Sequence, residues 1–82
     1  MTISVVEAQA LAWDVAFTED EMIVSLVDGR RIPLAWFPRL AAASRVQLEN
    51  WKLLGDGAGI HWPDLDEDIS VAGLLRGERA AA

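Results

Sequence analysis

Met22-Ile23-Val24-Ser25-Leu26-Val27-Asp28-Gly29-Arg30-Arg31-Ile32-Pro33-Leu34 is the stretch from which the fold can be read. Met22 to Val27 is a nearly continuous run of apolar strand formers, as a central strand requires. Asp28-Gly29 follows, a pair that tolerates positive φ at both centres of a two-residue type I′ turn. The returning strand then runs from Arg30 to Leu34. This register sets Val27 opposite Arg30 and puts Ile23, Ser25, Ile32 and Leu34 on one face. Pro33 cannot donate to a ladder, so it marks the outer edge of the sheet or the end of the strand.

Upstream, Trp13, Val15 and Phe17 alternate within residues 11–18, which predicts a first strand with these three on one face. Glu19-Asp20-Glu21 reads as an exposed turn. Residues 1–10 are weakly patterned and read as an edge strand or a lead-in. Downstream, Trp36 to Ala43 predicts a short helix with Pro38 in its first turn, where a missing N–H costs nothing. Ser44-Arg45-Val46-Gln47 fits a capping box opening a second helical segment that runs to about Asn50. Trp51 to Leu54 and Gly59 to Trp62 read as a hairpin across Gly55-Asp56-Gly57-Ala58. Pro63 to Asp68 reads as an acidic connection, and Ser70 as the N-cap of a last helix, Val71 to Arg76, stopped by Gly77. The expected fold class is therefore α+β, a small antiparallel or mixed sheet in the order β-β-β-α-β-β-α with helices packed on one face. One domain is expected over residues 1–77, with residues 78–82 a frayed C-terminal tail.

Composition narrows the class. A chain of 82 residues is one domain, burying only roughly 60–65% of its unfolded surface. Hydrophobic residues make up 52% of it and there are four tryptophans, which argues against disorder. Most of the tryptophan set is expected in the core, with Trp36 and Phe37, just before Pro38, the exposed exception. Cysteine is absent, so disulfides, thiolate metal sites and a cysteine nucleophile are excluded. No basic segment precedes an apolar run at the N-terminus, and no apolar stretch approaches the roughly 20 residues of a membrane-spanning helix. A cytoplasmic location without membrane association is expected. The net charge is −6, from 7 basic and 13 acidic residues. Phosphate neutralisation dominates nucleic-acid affinity, so nucleic-acid binding by the isolated domain is disfavoured. Arg30, Arg31, Arg39 and Arg45 would have to converge on one surface to reverse that.

No constellation of catalytic residues stands out. His61 is the single histidine, and a general base needs a positioned partner, for which Asp64 or Asp66 are candidates. By alternation His61 lies on the opposite sheet face from Ile60 and Trp62. Asp64-Leu65-Asp66-Glu67-Asp68 has a superficial likeness to a calcium loop. That loop needs glycine sixth and a distal glutamate twelfth, and here Ile69 and Leu75 stand there. The glycines of Gly55 to Gly59 are followed by no Gly-Lys-Ser/Thr, so they form a turn and not a phosphate loop. No catalytic, cofactor-binding or metal residue is expected, and no enzyme.

Two stretches resemble the family of bacterial domains of unknown function numbered 2442. They are Asp28-Gly29-Arg30 with Ile32 to Leu40, and the more specific run from Trp51 to Leu75 with its hairpin, its Trp62-Pro63 step and its acidic segment. The resemblance covers about fifty residues strongly and the first strand loosely. It implies a small α+β fold and no established reaction. Some members are fused to a helix-turn-helix domain, and many lie beside a small family suspected to be a toxin. The resemblance thus implies an antitoxin-like or regulatory role with a protein partner. This sequence departs by ending soon after Leu75, with no fused DNA-binding domain expected, and by Ala72, where an acidic residue would favour the helix N-terminus. The expected function is a protein-binding or regulatory module, its partner a small basic toxin-like protein. The candidate partner surface is Trp36, Phe37, Asp64, Asp66, Glu67 and Asp68. The alternative is a nucleic-acid-associated regulator acting through a DNA-binding partner, and self-association through an open sheet edge is a further option.

Overall fold

The computed structural model describes residues 11–26 and 29–78. The expected lead-in over residues 1–10, Val27 and Asp28 of the expected turn, and residues 79–82 of the expected tail lie outside the described residues. Among the described residues, six strands form two three-stranded antiparallel sheets. The first sheet holds β1 (Asp14–Phe17), β2 (Glu21–Ser25) and β3 (Gly29–Pro33), with β2 central. The second holds β4 (Lys52–Leu54), β5 (Gly59–Trp62) and β6 (Glu67–Ser70), with β5 central. Between the sheets come a 3-10 turn (Leu34–Trp36), α1 (Pro38–Ala41) and α2 (Arg45–Glu49), and α3 (Val71–Leu75) follows β6. The class is α+β as expected, but the single expected sheet is two, and the order gains a strand.

Local chemistry accounts for the helix boundaries. Pro38 occupies the first turn of α1. The Ser44 hydroxyl accepts from the Gln47 N–H while the Gln47 side chain accepts from the Ser44 N–H, the reciprocal box expected. Ser70 accepts from the Gly73 N–H at the start of α3, and Gly77 ends that helix with φ 82, a conformation glycine adopts without steric cost. Glu78, expected in the frayed tail, donates its N–H to the Gly73 carbonyl at 3.0 Å.

The β2–β3 register differs from the expectation. Ser25 lies opposite Gly29 and Val24 opposite Arg30, where a two-residue turn would set Val27 opposite Arg30. Gly29 does not take positive φ, so it opens β3 instead of closing a type I′ turn. A shift by an odd number of residues sends every side chain of β2 to the other face. Met22 and Val24 are consequently in the core with Ile32, while Ile23 and Ser25 are only partly covered. Pro33 is the last residue of β3, an edge strand.

The strand β6 falls where an acidic connection was expected. Asp and Glu are poor strand formers, so Glu67-Asp68 hides it. What forms the strand is Ile69, buried opposite the fully buried Ile60.

One contiguous core joins both sheets. Val15, Met22, Val24 and Ile32 come from the first and Ile60, Trp62 and Ile69 from the second, with Leu34, Phe37, Leu40, Leu48, Val71 and Leu74 filling the space between. Trp62 is fully buried and its indole N–H donates to the Leu48 carbonyl at 2.9 Å, which satisfies the polar edge of the ring and ties α2 to the second sheet. Phe37, expected exposed, is buried, and Trp36 is half-buried against the core. Trp13 is the exposed tryptophan, at 68%. It precedes β1, and its indole N–H donates to the Leu26 carbonyl at 2.7 Å. It therefore does not share a buried face with Val15, and Phe17 is half-buried.

The sheets also touch through backbone. The Ala12 N–H donates to the Gly57 carbonyl at 2.8 Å. Gly55, Asp56 and Gly57 have φ of 54, 60 and 102, and a Cβ on Gly57 would lie 2.0 Å from the Ala12 oxygen. Only glycine permits that approach.

Candidate functional site

The acidic segment is built by three neighbouring elements. After Trp62 the chain turns over residues 63–66, with the Leu65 N–H donating to the Trp62 carbonyl at 3.2 Å. Asp66 sits at φ 51, a left-handed conformation that Asp tolerates better than most residues. Arg39, in α1, fixes this turn. Its guanidinium donates to the Asp66 carbonyl at 2.8 Å and to the Leu65 carbonyl at 3.4 Å, and lies 4.0 Å from the Glu67 carboxylate. Asn50, the C-cap of α2, donates from its side-chain amide to the Asp64 carboxylate at 3.0 Å. Two residues from two helices thus hold the turn in one conformation while its carboxylates stay at the surface.

The strand that follows divides its acids between two environments. Asp68 lies directly opposite His61 on β5, and the His61 Nδ1 and an Asp68 carboxylate oxygen share a hydrogen bond. The expected partners of His61 were Asp64 and Asp66; the cross-strand register selects Asp68. Ile60 and Trp62 are buried while His61 is part-exposed, so the expected alternation holds. The Asp68 side chain is 68% exposed and that of Glu67 15%.

Beside β6 lies a cavity of about 180 Å³. Its apolar lining residues are Phe37, Ile69 and Leu74, and its acidic ones Glu67, Asp68 and Glu78. Ser70 and Gly73 complete it. The Glu78 carboxylate rests over Gly73, where a Cβ would come within 2.6 Å of it, and also pairs with Arg76 at 3.0 Å.

Of the six expected surface residues, Phe37, Glu67 and Asp68 meet at this cavity, and Asp64 and Asp66 stand on the adjoining turn. Phe37 reaches it as part of the core and not as a free ring, and Trp36 does not line it. Sequence reading missed Arg39, Asn50, Leu74 and Glu78. Arg39 and Asn50 carry no local signal for their roles, because each reaches a carboxylate or carbonyl far along the chain.

The arginines are distributed over separate elements. Arg31 pairs with Glu21 at 3.1 Å, Arg45 donates to the Phe17 and Thr18 carbonyls at 3.3 and 3.5 Å, and Arg39 holds the acidic turn. Among the described residues, no group of three or more His, Asp or Glu is arranged to hold a metal ion. No helix of the described residues is long and apolar enough to cross a membrane.

Two small antiparallel sheets around a shared core, with an acidic turn and an open groove at one end, define an α+β domain of a type already represented among solved structures. Residues 12–80 match the family described as protein of unknown function DUF2442, and the chain belongs to that family. A crystal structure of a protein of unknown function from Rhodospirillum rubrum is 31% identical, with a TM-score of 0.75 over 87% of this chain and 90% of that one. An uncharacterised Chromobacterium violaceum protein, solved by NMR, shares the fold at 20% identity, with a TM-score of 0.71 over 100% of this chain and 86% of that one. None of the curated proteins matches the chain.

Proposed function

We propose that the chain is a cytoplasmic protein-binding module whose acidic end receives a small basic protein, in the manner of an antitoxin-like or regulatory partner. The observation that carries this reading is the turn over residues 63–66, held from outside by Arg39 and Asn50. A surface already ordered before binding loses less conformational freedom on association than a mobile one. Here that ordered surface presents Asp64 and Asp66 next to a groove lined in part by Glu67, Asp68 and Glu78. The net charge of −6 adds a long-range attraction for a basic partner.

The reading through nucleic acid has less support, since Arg31, Arg39 and Arg45 are each engaged within the chain. The test is an affinity purification of the tagged protein from its native cytosol, followed by titration of the purified co-eluting protein. A basic partner whose affinity falls with salt and falls again with Asp64→Asn/Asp66→Asn supports the module. A partner indifferent to both substitutions, or no stoichiometric partner, overturns it.

A further inference from the structure

The position of the cavity relative to β6 identifies how a partner is held. Side chains of a strand alternate between faces, so a cavity on a sheet face touches every second residue. This one touches Glu67, Asp68, Ile69 and Ser70 in succession and no residue of β5. It therefore runs along the outer edge of β6, which is a terminal strand of its sheet. Among the described residues, no backbone group of Glu67, Asp68 or Ile69 bonds to backbone outside the ladder with β5, while the Ser70 carbonyl, at the N-cap of α3, opens that helix. An edge strand presents such unpaired N–H and C=O groups as a template for another strand.

The neighbouring edges are less receptive. The Phe17 and Thr18 carbonyls at the end of β1 already accept from Arg45. The edge strand β3 ends in Pro33, which has no N–H to offer. β6 is flanked by open space with an apolar lining.

We infer that the outer edge of β6 binds an extended segment of another protein in which apolar and basic residues alternate. The inference rests on the protein-binding reading above and specifies its mode. An added strand would turn one row of side chains towards Phe37, Ile69 and Leu74, and the other towards the Asp68 side. Of the lining's acidic residues, Glu67 shares the Ile69 face by alternation and has Arg39 at the limit of ion-pair range, and Glu78 is paired with Arg76. Asp68, 68% exposed beside His61, stands on the other side, and the lining includes no basic residue, so Lys or Arg suits the second row. A second copy of this chain pairing through its own β6 is disfavoured, because Glu67-Asp68-Ile69-Ser70 brings no cation to Asp68. Strand addition of this kind takes its affinity from main-chain bonds and its selectivity from alternate side chains.

The probe is a capped eight-residue peptide alternating lysine and valine, titrated into the full chain and followed by backbone amide NMR. Shifts concentrated at Asp68 to Ser70 are expected, with affinity at least about tenfold lower for the same peptide carrying glutamate in place of lysine. Two isomers, N-methylated on all lysines or on all valines, test the backbone: one should keep its affinity and the other lose it, since alternate N–H groups face opposite edges. Asp68→Lys should weaken binding of the lysine peptide, and Glu78→Lys, which leaves the β5–β6 ladder untouched, should do so without disturbing the fold. Equal affinity of both isomers and the parent would overturn strand addition while leaving the protein-binding reading intact. Absence of binding by the lysine peptide overturns the strand mode; the module falls with it only if the cytosolic purification is also empty.

Discussion

Gly57 stands where the two sheets share a backbone hydrogen bond, and a methyl group there has nowhere to go. Its Cβ would lie 2.0 Å from the Ala12 oxygen and 2.9 Å from the Ala12 nitrogen, both main-chain atoms that move only if the sheets part. Gly55 is the useful contrast. It also has positive φ, but a Cβ there meets only the Ala58 methyl at 3.8 Å. Gly55→Ala should therefore cost about 1–2 kcal/mol, the price of a left-handed L-residue. Gly57→Ala adds the loss of an interior contact and should cost about 4 kcal/mol or more, in the range reserved for named steric failures. Urea midpoints compared at constant slope would read the difference. Neither feature shows in the sequence beyond a glycine-containing loop, because the atom that makes Gly57 indispensable belongs to a residue far upstream. The same holds for the contact at Asp66: its carbonyl accepts from Arg39, a residue far upstream that nothing near Asp66 in the chain points to.

Among the elements, those closed by local chemistry were legible and those closed by distant contacts were not. The capping box at Ser44 and Gln47, the proline opening α1, the Ser70 cap and the hairpin from β4 to β5 all follow from residues within a few positions of one another. β6 and the register of β2 against β3 do not. Ile69 needs Ile60 to become a strand residue, and Met22 needs the rest of the core to decide which face of β2 is inside. Ser44→Ala should cost about 1 kcal/mol and raise amide exchange first in residues 45–49, measured by native-state hydrogen exchange. Arg39→Ala should act differently. Its guanidinium is solvent-exposed, so global stability should stay within about 0.5 kcal/mol of the parent, while the amides of residues 63–67 lose protection. If the turn keeps its protection in that variant, Arg39 is not what orders it. The candidate surface was half legible: its acids stand out in the sequence, but the groove beside them needs Phe37, Leu74 and Glu78 brought together by the fold.

For the molecule as a whole, the decisive fact is that the two sheets do not have separate cores. Met22 and Trp62 belong to one cluster, so the apolar face on which a three-stranded sheet depends is covered in both sheets by the same core. Unfolding should be a single transition. Tryptophan emission, weighted by the fully buried Trp62, and far-ultraviolet dichroism should give coincident urea curves. Two separated midpoints would mean that the sheets unfold independently. The composition did not reveal the division into two sheets, because hydrophobic content measures how much core a chain can make and says nothing about how many ladders surround it.

The contact between Ala12 and Gly57 also bears on the order of events as the chain collapses. Each sheet is a meander of sequence-adjacent strands, so each can zip from its own turns without waiting for the other, the kind of topology that folds fast. The bond across Ala12 and Gly57 closes only when the two meanders dock, and it should therefore be absent from the transition state. Gly57→Ala should accelerate unfolding more than it slows refolding, a φ-value below about 0.5 in stopped-flow measurements, because its left-handed strain is felt when the β4–β5 turn closes and its clash with Ala12 only on docking. That glycine would then govern how long the native state survives more than how quickly it is reached.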